Sequence, residues 1–202
     1  MDVTNRRKTF EEIKNDFRAS IEIPKNTPKK QFFFCPVGLV GAGKTTVTRP
    51  ISKRLGLVRL SSDELRKILK ENSYDYGSVK DIGFEMAQDF AKEGYSIAFD
   101  MDCGSPKAKE SIEKLADETG AKIIWAHLNT PEEYILEKFK KHEPSWLADN
   151  PQVMIDNYFV QKERREKENT QFSYDFTFDT SRPDLDKQID DCIEKIKILV
   201  GK

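Results

Sequence analysis

Long apolar runs are what this chain most visibly lacks. No stretch approaches the about 20 apolar residues that a membrane span requires, and the polar, charged N-terminus has none of the apolar core of a secretory leader. The expectation is a soluble, cytoplasmic protein. Cysteine is scarce: Cys35, Cys103 and Cys192 are far apart and show no C-x-x-C or metal-ligand spacing. That excludes a disulfide scaffold and a thiolate zinc site and predicts reduced thiols. The two histidines, His127 and His142, stand apart from any nucleophile or metal set and read as a core-edge and a surface residue. Charge of one sign is also missing. Lys and Arg number 34 against 35 Asp and Glu, a formal net charge of −1 in 202 residues. No global basic field advertises nucleic acid, although a local basic groove stays open. There is no internal repeat or low-complexity segment, and the length suits one domain with an appendage.

Glycine is present where it has a purpose. Gly38-Leu39-Val40-Gly41-Ala42-Gly43-Lys44-Thr45, entered from Phe32-Phe33-Phe34-Cys35, fits the G-x-x-x-x-G-K-[ST] loop that cradles nucleotide phosphates. The backbone must curl into a nest of N–H groups, with no Cβ between it and a phosphate oxygen. The context required for such a loop is there: a buried strand over 31–37 before it, and Val47, Ile51 and Leu55 at helical spacing after it, stopped by Gly56. The helix start contributes the positive end of its dipole. Lys44 is expected to reach the β- and γ-phosphates, Thr45 to hold a bridging Mg²⁺, and Thr46 to donate to the α-phosphate. ATP and Mg²⁺ are thus the expected ligands.

Ahead of this unit, Phe10, Ile13 and Phe17 recur at helical spacing and a Pro24 to Lys30 breaker follows, so residues 1–30 read as a helix and linker. The helix either packs its stripe on the outside of the core or serves as a partner-binding arm; Lys29 and Lys30 read as solvated linker charges. Across 31–202 strands alternate with helices. Strands are predicted over 57–60, 96–99, 122–128 and 175–178. Helices are predicted over 63–70, 79–93, 106–119 and 132–141, the last opened by Pro131, with an amphipathic C-terminal helix carrying Leu185, Ile189, Ile193, Ile196 and Leu199. Such alternation predicts an α/β fold, a parallel sheet covered by helices on both faces.

Ligands of an open parallel sheet collect at the carboxyl ends of its strands. Asp63 follows the second strand, where Ser61 or Ser62 can cap the helix, and Arg66 shares its face three residues on. The pair suits a general base and an acceptor-gripping cation, or a plain i,i+3 ion pair. Asp100 closes the apolar strand and is the preferred metal-side carboxylate, with Asp102 the second candidate and capping of the Gly104-Ser105-Pro106 turn the competing role. Lys138 and Lys141 at the end of the Pro131 helix, or Arg164 and Arg165 in the polar segment 143–171, are candidate lid cations over the triphosphate, with the lid at about 138–170. Trp125, Tyr134, Phe139 and Trp146 read as packing residues.

Gly38 to Thr45, Ser61-Ser62-Asp63-Glu64-Leu65-Arg66, Asp100 after its strand, and His127-Leu128-Asn129-Thr130-Pro131-Glu132-Glu133 together resemble the P-loop kinases that include polynucleotide 5′-hydroxyl kinases, gluconate-type sugar kinases and zeta toxins. The likeness covers about 31–200. It implies a three-layer P-loop NTPase fold with a five-stranded parallel sheet of nucleoside-kinase type and a helical lid, with Asp63 as general base and Arg66 as acceptor-binding residue. Two positions depart from the pattern. Lys138 and Lys141 stand where arginines are common, and Lys lacks the planar two-pronged grip; Asp100-Met101-Asp102 replaces the usual Asp-x-Asn with a second carboxylate. The acceptor implied is a polynucleotide 5′-hydroxyl or a small metabolite. The reading from another class is a nucleotide-binding regulatory module that binds or slowly hydrolyses NTP.

Overall fold

A computed structural model describes residues 8–141, 143, 145 and 150–201. Its elements run α1 (Phe10–Ser20), β1 (Phe32–Val37), α2 (Lys44–Leu55), β2 (Val58–Ser61), α3 (Ser62–Glu71), α4 (Val79–Lys92), β3 (Ile97–Asp100), α5 (Pro106–Thr119), β4 (Lys122–Leu128), α6 (Glu132–Lys140), α7 (Pro151–Glu168), β5 (Phe176–Phe178) and α8 (Leu185–Val200). The five strands form one all-parallel sheet in the order β2-β3-β1-β4-β5.

β1 shows why the sheet is a central layer. All six of its residues are buried, and successive side chains point to opposite faces. Phe32 and Phe34 join Val47, Ile51 and Leu55 of α2, Ile135 and Phe139 of α6, Tyr158 of α7 and Ile189, Ile193 and Ile196 of α8. Phe33, Cys35 and Val37 join α3, α4 and α5 on the other side through Leu65, Phe90 and Ile112. A strand buried on both faces reads as a continuous apolar run, as Phe32-Phe33-Phe34-Cys35 does.

The N-terminal helix is part of this core. Thr9 caps it in a reciprocal box with Glu12, and Ile13 and Phe17 are fully buried in the α3–α4 cluster. Its stripe therefore packs on the body of the domain.

Strand boundaries moved by a residue where pairing, not hydropathy, sets them. β2 begins at Val58 and extends to Ser61, because the parallel register pairs Val58 with Ile97 and Ser61 with Asp100. β5 begins at Phe176, since Asp175 uses its carboxylate to accept from the Trp125 N–H at 2.9 Å. The larger surprise is α7. Its 18 residues have only Tyr158 fully buried and carry no clear apolar stripe, so the periodicity that reveals the other helices is missing. Asn150 caps it by accepting from Val153 N–H; Met154 and Ile155 pack beside Tyr158 on the core, and the C-terminal half is held by polar contacts.

No helix among the described residues is long and apolar enough to cross a membrane. Cys35, Cys103 and Cys192 are free and buried.

Candidate functional site

The glycine loop lies between β1 and α2, at the carboxyl edge of the sheet. Gly41 and Gly43 have φ of +81° and +91°, the left-handed region that residues with a Cβ avoid, and Gly43 forms the mouth of α2. The space behind them is full as well. A Cβ on Gly41 would overlap Phe139 of α6, and one on Gly43 would come within 2.6 Å of Thr180 Cγ2. Two hydroxyls that sequence reading did not single out brace the turn: Thr130 and Thr180 each donate to the Ala42 carbonyl at 3.0 Å.

The Lys44 ammonium donates to the Gly38 and Leu39 carbonyls at 2.9 and 3.0 Å, folded back along the loop. Burial lowers its pKa against the opposing pull of Asp102 and Asp100. Thr45 Oγ1 donates to Asp100 Oδ1 at 2.9 Å, which joins the two residues expected to serve a metal. Thr46 is exposed on the first turn of α2.

Asp100 is only 4% exposed. Burial raises its pKa, the Thr45 hydroxyl and Arg59 guanidinium pull it back, and the charge of Asp63 pushes it the same way as burial. Arg59 Nη1 reaches Asp100 Oδ2 at 2.5 Å, and its Nη2 pairs with Glu64. A lone arginine in the strand Leu57-Val58-Arg59-Leu60 carried that signal in the sequence, because a cation in a buried strand requires a carboxylate partner.

Ser61 caps α3 by accepting from Glu64 N–H at 3.4 Å, which sets Asp63 in the first turn. Arg66 Nη1 donates to Asp63 Oδ1 at 2.6 Å, both side chains being more than a third exposed. Asp63 therefore sits in an i,i+3 ion pair. Its charge nonetheless acts on both Lys44 and Asp100, so Asp63, Lys44 and Asp100 share one electrostatic neighbourhood.

Asp102 has a different role from Asp100. It accepts from Gly104 N–H at 3.3 Å, pairs with Arg165, and meets Arg164 Nη2 at 3.1 Å and Gln161 Nε2 at 3.4 Å. Burial by itself would raise its pKa, but the charges of Arg165, Lys44 and Arg164 and the Gly104 N–H together outweigh it, and the net direction is down. The same Gln161 accepts from the Val40 N–H at 2.5 Å, so α7 is fastened to both the glycine loop and Asp102. Gln161 was invisible to sequence reasoning, which had no periodicity to orient α7.

Lys138 and Lys141 are not brought to this centre. Ile135 and Phe139 turn one face of α6 onto the loop, which leaves Lys138 and Lys141 exposed beside a surface hollow with Tyr134, Glu137 and Glu143. The cations that approach the centre are Arg164 and Arg165. Tyr134 is 44% exposed and does not pack, whereas Trp125 and Phe139 do. His127 is half-buried, stacked on Tyr174, and lowered in pKa by burial. His142 and Trp146 lie outside the described residues.

Solved structures share this architecture. The chain is similar to the Mycobacterium tuberculosis APS kinase CysC in complex with AMPPNP and APS (15% identity, 84% of this chain and 99% of that one, TM-score 0.56). It is similar to a structure from the PezAT chromosomal toxin-antitoxin system of Streptococcus pneumoniae (18% identity, all of both chains, TM-score 0.59). Shikimate kinase from Bacteroides thetaiotaomicron also matches (16% identity, 86% of this chain and 99% of that one, TM-score 0.51). No curated protein gives a significant match. The AAA_33 family, described as an AAA domain, matches residues 34–153, more than half of the chain and all of the glycine loop. With a five-stranded parallel sheet and this loop at its carboxyl edge, the chain has the P-loop kinase fold and belongs to the AAA_33 family of AAA domains.

Proposed function

We propose that this protein is an ATP-dependent kinase that transfers the γ-phosphate to an alcohol group of a small acceptor. The observation that carries this reading is the Thr45 hydroxyl bonded to Asp100, beside Lys44, with the Asp63 charge felt at both Lys44 and Asp100. Backbone N–H groups of the 38–43 turn and the start of α2 surround the phosphates, Lys44 leaves its two carbonyls for the β- and γ-oxygens, and Thr46 meets the α-phosphate. A buried carboxylate already held by a hydroxyl and a guanidinium fits magnesium, which Thr45 would ligate with Asp100 behind it. When bound, the ion would supply positive charge against the negative charge of the triphosphate.

The acceptor oxygen then attacks the γ-phosphorus, its proton passes to an Asp63 oxygen, and the bond from phosphorus to the β–γ bridging oxygen breaks to release ADP. Arg66 holds Asp63 Oδ1, so the proton would go to Oδ2 while the guanidinium stays beside the carboxylate to grip the acceptor. The Asp63-x-x-Arg66 pattern is the feature shared with polynucleotide 5′-hydroxyl kinases. A small acceptor is nonetheless favoured over a nucleic-acid end, because net charge is −1 and Arg164 and Arg165 are engaged by Asp102. Arg164 and Arg165 are better supported than Lys138 and Lys141 as cations over the γ-phosphate.

Two contacts favour a nucleotide-binding regulator instead: Arg66 holds Asp63 Oδ1, and Gln161 holds the Val40 N–H. The two readings separate when the protein is incubated with γ-labelled ATP and a panel of nucleosides, sugars and 5′-hydroxyl oligonucleotides. The kinase reading expects label in a small acceptor and a roughly 10²- to 10⁴-fold slower transfer by Asp63→Asn. Equal transfer by that variant overturns the general base, and no transfer to any acceptor points to the regulator.

A further inference from the structure

Asp102 is surrounded by donors. Its carboxylate accepts from the Gly104 N–H at 3.3 Å, from Gln161 Nε2 at 3.4 Å and from Arg164 Nη2 at 3.1 Å, and it pairs with Arg165, whose side chain is only 16% exposed. Three of these donors belong to α7. Gly104 makes room for them: a Cβ there would come within 2.8 Å of the Arg165 guanidinium carbon, so the guanidinium lies against bare backbone. Apart from Asp102, both arginines pair with Glu168 of their own helix.

This cluster adjoins the glycine loop. A single carboxamide spans the gap, since Gln161 donates to Asp102 through Nε2 and accepts from the Val40 N–H through Oε1 at 2.5 Å. Among the charges acting on the buried Lys44 ammonium, that of Asp102 is the largest, ahead of Asp100 and Asp63. Two arginines, a lysine and amide donors converging beside a phosphate nest are what the end of a triphosphate needs. A carboxylate of the chain already holds them. The helix that carries the arginines is also fixed independently of Asp102: Tyr158 is buried against Phe139, and its hydroxyl and Lys162 hold Glu132 at 2.9 and 2.6 Å. The arginines can therefore change partner without α7 leaving the domain.

We infer that Asp102 is a specificity-determining residue: it stands in for the γ-phosphate on Arg164 and Arg165, and a triphosphate takes the two arginines from it whereas a diphosphate does not. A phosphate group brings more negative charge and three acceptor oxygens to the same guanidiniums, and at that distance it repels the carboxylate. The inference rests on the kinase reading for which end of the nucleotide meets Lys44, but binding alone tests it. Calorimetry in magnesium compares the non-hydrolysable triphosphate AMPPNP with ADP. Asp102→Asn keeps an oxygen for the Gly104 N–H and removes the charge, so the fold is retained. It should tighten AMPPNP about tenfold or more and ADP no more than about threefold. In a chain that also carries Arg164→Gln and Arg165→Gln, the gain for AMPPNP should fall to that for ADP, because the three residues act on one ligand group. Amide exchange gives a second measurement: in Asp102→Asn, AMPPNP should slow the amides of α7 beyond the slowing given by ADP.

An equal change for the two nucleotides, a weaker AMPPNP complex, or a selective gain that survives the loss of both arginines would overturn the inference. Failure of the two readings looks different. A selective gain for AMPPNP without label transfer to any acceptor removes the kinase and leaves the role of Asp102; label transfer with an equal change for both nucleotides removes that role and leaves the kinase.

Discussion

The Val40 amide donates to Gln161 Oε1 at 2.5 Å, and this bond ties a helix 121 residues away in sequence to the glycine loop. That amide belongs to the nest that phosphate oxygens are expected to enter, so nucleotide and Gln161 compete for it. Gln161→Ala should raise ADP affinity about two- to tenfold, the worth of one net hydrogen bond, as read by calorimetry. A weaker complex would mean that Gln161 helps to hold the nucleotide.

On the proposed reading the Thr45 and Asp100 pair holds magnesium. Thr45→Val and Asp100→Asn should each weaken the magnesium-dependent gain in ADP binding by about 10- to 100-fold, with magnesium-free binding little changed. Titrating Mg²⁺ into the ADP complex measures this without any acceptor, and removing the ion with a chelator should bring wild type and variants to the same affinity.

Asp102 predicts how acid loosens α7. Its native pKa lies below the ordinary 3.8, so its stabilising contribution is complete above pH 3.8 and fades as pH falls through the lower native value. Amides of α7 should therefore gain exchange with solvent below that pH. Asp102→Asn should bring the faster exchange at neutral pH, because Arg164 and Arg165 lose their charge partner outside α7 and keep only Glu168 of α7 itself, while the core strands are untouched.

The leading helix is expected to unfold together with the rest of the domain. Phe17 is fully buried against the α3–α4 cluster, and Phe17→Ala should cost about 3–5 kcal/mol of global stability in urea unfolding. Loss of α1 alone, with an unchanged main transition, would show instead that it is a separate appendage.

Local pattern alone determined the elements whose burial follows a period. The glycine loop, the strands around Phe33 and Ile124, the Ser105-Pro106 start of α5 and the stripe of α8 are written in short stretches, and they stand within a residue or two of expectation. Asp63 and Asp100 were legible for the same reason, since each follows a recognisable strand and a parallel sheet gathers such ends at one edge. Arg59 was legible in principle, as a charge inside a buried strand.

The clasp between α7 and the loop was decided only by tertiary structure. Gln161, Arg164 and Arg165 lie in a helix without an apolar stripe, and polar contacts made across the fold leave no period in the sequence that makes them. The choice of cations followed from packing too: once Ile135 and Phe139 seat α6 against the glycine loop, Lys138 and Lys141 must face water. Periodicity reports which face of an element is apolar; which partner that face meets depends on strand order, and the order β2-β3-β1-β4-β5 brings Ser61 beside Asp100.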